Sequence, residues 1–132
     1  MIGEELQTDH FAVTLNTCLV ADSVNTGNKF SDLKEEPNAA FLILDTTFKN
    51  TDTESRMISA GSIFILINGK PYEFDKTESI MADGYTSVLD QINPFLSKST
   101  KLVYKIPKEI RGQVFWEPGR NSKHHRFYCR DL

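Results

Sequence analysis

Apolar and polar residues alternate along much of the chain, and the alternation predicts strands. From Phe11 to Val20, Phe11, Val13, Leu15, Thr17 and Leu19 fall on one side, and Ala12, Thr14, Asn16, Cys18 and Val20 on the other. A period of two over this length predicts a half-buried strand with its odd positions inward. Residues 39–52, AAFLILDTTFKNTD, carry the strongest apolar run. Leu42, Leu44, Thr46 and Phe48 share one face, and Phe41, Ile43, Asp45 and Thr47 share the other. Both faces are apolar at the start and one at the end, as in a central strand first covered on both sides. Its expected neighbours are the Phe11–Val20 strand and the next apolar run, Ser62 to Asn68, in which Ile63, Ile65 and Ile67 share a face. Asn68-Gly69 then predicts a tight hairpin, because both central residues of a type I′ turn need positive φ. The return strand runs from Lys70 to Phe74. Pro71 has no N–H, so this strand is expected at an edge or short.

Between these runs lie polar segments. Residues 21–38 form a long loop with Gly27 and Pro37, and a helical turn is expected around Ser31–Glu36 with Ser31 as its cap. Loops of this length are where function often resides. Residues 50–56 read as a polar turn. Residues 75–99 give weaker signals: a turn at Asp83-Gly84, a short strand within Tyr85–Ile92 and a break at Asn93-Pro94. Lys101 to Ile106 alternates and stops at Pro107. Gly112 to Trp116 stops at Pro118-Gly119. In His124–Cys129, alternation places His125, Phe127 and Cys129 on one face. About seven strands with no sustained 3.6 period imply an all-β chain, an antiparallel β-sandwich. Its expected core is Leu42, Leu44, Phe48, Ile63, Ile65, Ile67, Leu102, Tyr104, Val114, Trp116 and Phe127.

The 132 residues suit one domain spanning 1–132. Such a chain can bury enough surface to fold without metal or disulfide. Apolar content of 39% and charged content of 25% argue against disorder. No apolar run approaches the roughly 20 residues of a membrane helix. The first ten residues, MIGEELQTDH, are acidic and lack the basic and apolar regions of a signal peptide. The expectation is a cytoplasmic protein, or an extracytoplasmic one whose leader has been removed.

Charge is unevenly placed. Residues 1–96 hold six Lys/Arg against fifteen Asp/Glu, a balance of −9; residues 97–132 hold nine against three, a balance of +6. The halves could neutralise each other across neighbouring strands, or the second could present a basic face to an anionic partner. Arg120, Lys123, Arg126 and Arg130 are the candidate contacts. Arg111 and these four interleave with Phe115, Trp116, Phe127 and Tyr128, a mixture single-strand nucleic-acid binders use. Trp116 alternates with Val114, however, which assigns it to the core, and the sequence pI of about 5.6 argues against nucleic acid.

Two cysteines, Cys18 and Cys129, lie near opposite ends of the chain. In an oxidising compartment they could pair; in a reducing one they would act as small apolar groups. His125 and Cys129, four residues apart on a strand, stand about 13 Å apart and cannot share one metal. His10 could join one of them only from a neighbouring strand. No nucleophile elbow or phosphate loop occurs, and Cys-His catalysis would need a partly exposed thiol. No catalytic residue, metal ligand or cofactor is expected.

Several segments, in order, resemble a known family. They are FAVTLNTCLVAD at 11–22, LILDTTFKN at 42–50, FILINGKPYEF at 64–74 and INPFLSKSTKLVYKIP at 92–107. Together they resemble the immunoglobulin-like domain of unknown function found in bacterial secreted proteins and lipoproteins, related in fold to a secreted mycobacterial antigen. The resemblance runs from about residue 4 to 130. It implies an extracytoplasmic immunoglobulin-like module with no established activity and no catalytic residues to carry over. This chain differs from the common form in lacking a lipobox cysteine, a polar linker and a leader, and in its more basic C-terminal segment. The expected function is a non-enzymatic, protein-binding module of the bacterial envelope, acting through a sheet face, an edge or the 21–38 and 75–99 loops. The alternative is a cytoplasmic accessory protein that binds an anionic partner through the basic C-terminal segment.

Overall fold

The computed structural model describes residues 3–25, 32–78, 84–85 and 91–132. Two four-stranded antiparallel sheets face each other. The first holds β1 (Glu5–Gln7), β2 (Phe11–Ala21), β3 (Ala39–Asn50) and β8 (Ser97–Pro107), in that spatial order. The second holds β10 (Phe127–Asp131), β9 (Gln113–Glu117), β5 (Ser62–Ile67) and β6 (Lys70–Phe74). A two-stranded ladder of β4 (Arg56–Met57) and β7 (Gln91–Ile92) closes one end. The antiparallel β-sandwich expected from the alternation is the observed architecture.

β3 is central, but its neighbours differ from expectation. It pairs with β2 and β8, while β5 belongs to the opposite sheet. The chain crosses between sheets after Asn50, so Ile63 and Ile65 meet Leu42 and Leu44 across the core. All the expected core residues are buried there except Ile67, which is partly covered and packs against the rest. Tyr104 Oη donates to the carbonyl of Gly61 (2.9 Å), and Trp116 Nε1 donates to that of Ala60 (2.8 Å), so both polar tips are satisfied. Burial raises the pKa of the Tyr104 hydroxyl, which stays protonated. Gly61 has φ of +76° and no room for a side chain against Glu117 and Gly119.

The outer face of the first sheet is covered where β3 begins. Phe41 and Val103 are buried there beneath Val24, with Leu33, Ile43 and Tyr85 packed around them. This explains why both faces of β3 are apolar at its start. It also overturns the expected helical turn at Ser31–Glu36. Leu33 exchanges main-chain hydrogen bonds with Val24 (2.8 and 2.9 Å), and residues 32–36 are not helical. Burial of Leu33 on the sheet outweighs local turn preference; Ser31, the expected cap, lies outside the described residues.

Asn68 and Gly69 both have positive φ (53° and 79°), and β6 is an edge strand, as the hairpin and Pro71 predict. Three further strands, β1, β4 and β7, are too short to leave a periodic signal. The expected Tyr85–Ile92 strand is described only at Tyr85, which bridges to Lys101, and at β7. Residues 86–90 and Asp83 lie outside the described residues.

Alternation fails at two bulges. In β2, Leu15 pairs with Thr46 but Thr17 with Asp45, leaving Asn16 as an extra residue. An extra residue flips every later side chain. Phe11, Val13 and Leu15 are inward as expected, but beyond the bulge Cys18 turns in while Thr17 and Leu19 turn out. In β10, Tyr128 pairs with Phe115 and Arg130 with Val114, leaving Cys129 extra. This strand also starts later than expected. His124 has φ of +54°, and Asn121 holds the turn by donating from Nδ2 to the carbonyl of His125 (2.7 Å). His125 is exposed rather than sharing the buried face of Phe127 and Cys129.

Candidate functional site

Cys18 and Cys129 meet across the sandwich, joined as a disulfide with their Cα atoms 5.8 Å apart. Both are buried at the rim of the core. The bulge at Asn16 turns Cys18 inward, and the bulge at Cys129 brings Arg130 round beside it. Arg130 donates from a guanidinium nitrogen to the carbonyl of Cys18 at 3.4 Å.

The four candidate basic contacts do not form one patch. The main chain of Arg120 accepts from the N–H of Asp9 (3.0 Å), which places Arg120 and nearby Lys123 at the end where β2 starts. Arg126 pairs with Glu117 (2.9 Å) and its guanidinium lies 3.9 Å from the centre of the Phe64 ring. Burial disfavours ionisation of Glu117, but Arg126 and His124 outweigh it and lower its pKa. Arg130 is at the far end of β10, beside the disulfide. Of the interleaved aromatics, Trp116 and Phe127 stack in the core, while Phe115 and Tyr128 pair edge-on on the outer face of the second sheet.

The histidines are also separated. His10 Nδ1 lies 2.7 Å from Asp52, and His124 Nδ1 lies 3.1 Å from Glu117. Among the described residues no group of three or more His, Cys, Asp and Glu side chains converges as a metal site requires.

The most constrained exposed feature was not singled out by sequence. Asn50, wholly buried, closes β3 and binds three segments together. Its side chain donates to the carbonyls of Ile92 (2.7 Å) and Glu54 (2.8 Å) and accepts from the N–H of Asp52 (2.8 Å). Its main chain accepts from the N–H of Phe95 (2.9 Å) and donates to the carbonyl of Leu96 (3.0 Å). Phe95 and Leu96 are thereby pinned, yet they are 74% and 57% exposed. Phe95 has φ of +65°, a conformation unfavourable for an aromatic residue. Beside them, Asp52 accepts from Thr53 N–H (2.6 Å) and Arg56 Nε (2.8 Å). Those bonds, with that of His10, hold its pKa at about 2 despite partial burial.

A family model described as "Domain of unknown function (DUF4352)" matches residues 1–115. The chain belongs to the DUF4352 family. The DUF4352 match includes Cys18, Asn50 and Phe95, and ends before Trp116, Cys129 and the four candidate basic residues. Two solved structures resemble this DUF4352 chain over nearly its whole length. An uncharacterised β-sandwich protein from Clostridium difficile has a TM-score of 0.66 at 16% identity, covering 98% of this chain and 91% of that one. A conserved hypothetical protein from Bacillus anthracis has a TM-score of 0.66 at 17% identity, covering 99% and 93%. A Bacillus subtilis protein described as a "putative lipoprotein" has a TM-score of 0.56 at 12% identity; the match covers all of this chain and 38% of that one. At these identities the likeness establishes the fold. No curated protein matches the chain. Among the described residues no helix is long and apolar enough to cross a membrane.

Proposed function

We propose that the chain is a non-enzymatic, protein-binding module of the bacterial cell envelope, of immunoglobulin-like type. The observation that carries the binding role is the Phe95–Leu96 tip. Two large apolar side chains face solvent on a turn locked by three main-chain hydrogen bonds, two to Asn50 and one from Leu96 N–H to the carbonyl of Asn93. A rigid exposed aromatic loses little entropy on binding, which is the character of an interface anchor. Strain of the kind at Phe95 persists where surrounding structure over-determines it, commonly at functional positions. The tip also lies within residues 75–99, one of the several surfaces through which such a module is expected to act.

The envelope location is supported by the lipoprotein description of one structural neighbour, and by a cysteine pair that an oxidising compartment would maintain. The alternative, an anionic partner held by one basic C-terminal patch, has less support, because the four residues concerned are divided between the two ends of β10. The test is capture from envelope extract with the intact chain and with a Phe95→Ser/Leu96→Ser variant. A specific protein retained by the first and lost from the second is expected. Equal capture by both, or fractionation of the native protein with the cytoplasm, overturns the reading.

A further inference from the structure

At the opposite end of the sandwich from Phe95 is a cavity of about 290 Å³. Val20, Ala40, Ile106 and Ile110 give it an aliphatic lining, and Arg111 and Arg130 line it as well. Its cationic groups are poorly matched. Arg130 Nε is buried and has no hydrogen-bond partner. The same guanidinium makes one long bond, 3.4 Å, to the carbonyl of Cys18. Arg111, an exposed side chain, donates among the described residues to the neighbouring carbonyl of Ile110 (2.8 Å). Among the described residues neither guanidinium forms an ion pair. The neighbouring carboxylate of Asp131 accepts instead from Tyr128 Oη (2.6 Å). Lys108, also at the rim, lies 3.7 Å from both Asp22 and Glu35.

An unmatched buried donor on a charged group is costly and uncommon in folded proteins. The bulge at Cys129 accounts for it, since it turns Arg130 towards the side of its buried partner Val114. Nε itself is closed off, but Arg130 lines the cavity, and a carboxylate seated there would pair with a guanidinium that no protein carboxylate neutralises among the described residues, through charge-assisted hydrogen bonds. The aliphatic lining suits an apolar tail, and the volume is at the lower end of small-molecule sites. We propose that this cavity binds a small monocarboxylate with a short aliphatic tail. The carboxylate contacts Arg130, with Arg111 beside it, and the tail packs against Val20, Ile106 and Ile110. This site is independent of the Phe95–Leu96 tip.

The test uses the full chain titrated with sodium octanoate, 1-octanol and inorganic phosphate, followed by methyl NMR. Octanoate is expected to shift the Val20, Ile106 and Ile110 methyl resonances saturably. Arg130→Met is expected to weaken octanoate by about tenfold or more, and 1-octanol to bind the unaltered chain weaker than octanoate by a similar factor. Should Arg130→Met fail to fold, Arg111→Gln, at an exposed side chain, is expected to weaken octanoate severalfold. Phosphate alone is expected to leave the methyl resonances in place. No methyl shift with octanoate up to about 10 mM, a Kd range that would leave negligible affinity, overturns the proposal. So does equal binding of octanol and octanoate, or octanoate binding insensitive to both variants.

Discussion

Cys18 faces Cys129 because the bulge at Asn16 turns Cys18 to the inner side, which Cys129 already shares with Phe127. Without the extra residue at Asn16, strict alternation would turn Cys18 away from the core, with Val20, and no pair could form. The two Cα atoms are 5.8 Å apart and 111 residues apart in sequence. On the chain-entropy model, a cross-link closing so long a loop stabilises the fold by about 4–5 kcal/mol. Replacing both cysteines by alanine is therefore expected to lower the unfolding free energy by about 4 kcal/mol in urea titration. A loss below about 1 kcal/mol would mean that the pair contributes little.

Asn50→Ala is expected to destabilise the fold by about 2–4 kcal/mol. The substitution removes three side-chain hydrogen bonds and leaves the carbonyl of Ile92 without its donor in a buried setting. Denaturation should report the loss. Hydrogen exchange should place it at the Phe95 amide, which donates to the Asn50 carbonyl.

Asp52 should keep its charge in acid to a lower pH than ordinary carboxylates, and losing that charge should cost stability. Its pKa falls from the ordinary 3.8 to about 2, first through the Thr53 N–H and then through Arg56 and His10. A lowered pKa contributes stability that is present above the unfolded value and is lost as pH falls through the folded one. Stability should decline between about pH 4 and pH 2, and Asp52→Asn should flatten that part of the pH profile. An unchanged profile in the variant would remove Asp52 as its source.

Phe95→Gly is expected to raise stability by about 1 kcal/mol, because glycine adopts positive φ without the penalty an aromatic incurs. The lost side chain is mostly exposed, so little burial is given up. A fall in melting temperature would show that Phe95 supports the fold. A rise accompanied by weaker partner capture would be the stability cost of an interface residue.

The strands legible in the chain are those of five residues or more, and most plainly the longest. Eleven to twelve residues of β2 and β3 repeat the same choice many times, and Asn68-Gly69 leaves few alternatives for the hairpin. The two-residue β4 and β7 repeat nothing. The bulge at Asn16 could not be read either, because Thr17 and Leu19 continue the apolar-leaning alternation that the backbone abandons. The sheet to which β5 belongs is not legible, since alternation reports which face is buried but not which strand lies alongside. Asn50 was legible as the end of β3, while its hydrogen bonds depend on Glu54 and Ile92, 4 and 42 residues away. Phe95 and Leu96 follow Asn93-Pro94, which reads in the sequence only as a break. That the turn is held by Asn50 and leaves both side chains in solvent is a tertiary fact.

The proposed contact of the Phe95–Leu96 tip with another protein of the cell envelope can be probed in place. Its most direct test is a photo-reactive phenylalanine analogue incorporated at position 95 and irradiated in intact cells, with position 72 on edge strand β6 as the comparison. A discrete protein adduct is expected from position 95, absent or far weaker from position 72. Adducts to lipid alone from position 95, or the same protein adduct from both positions, would contradict it.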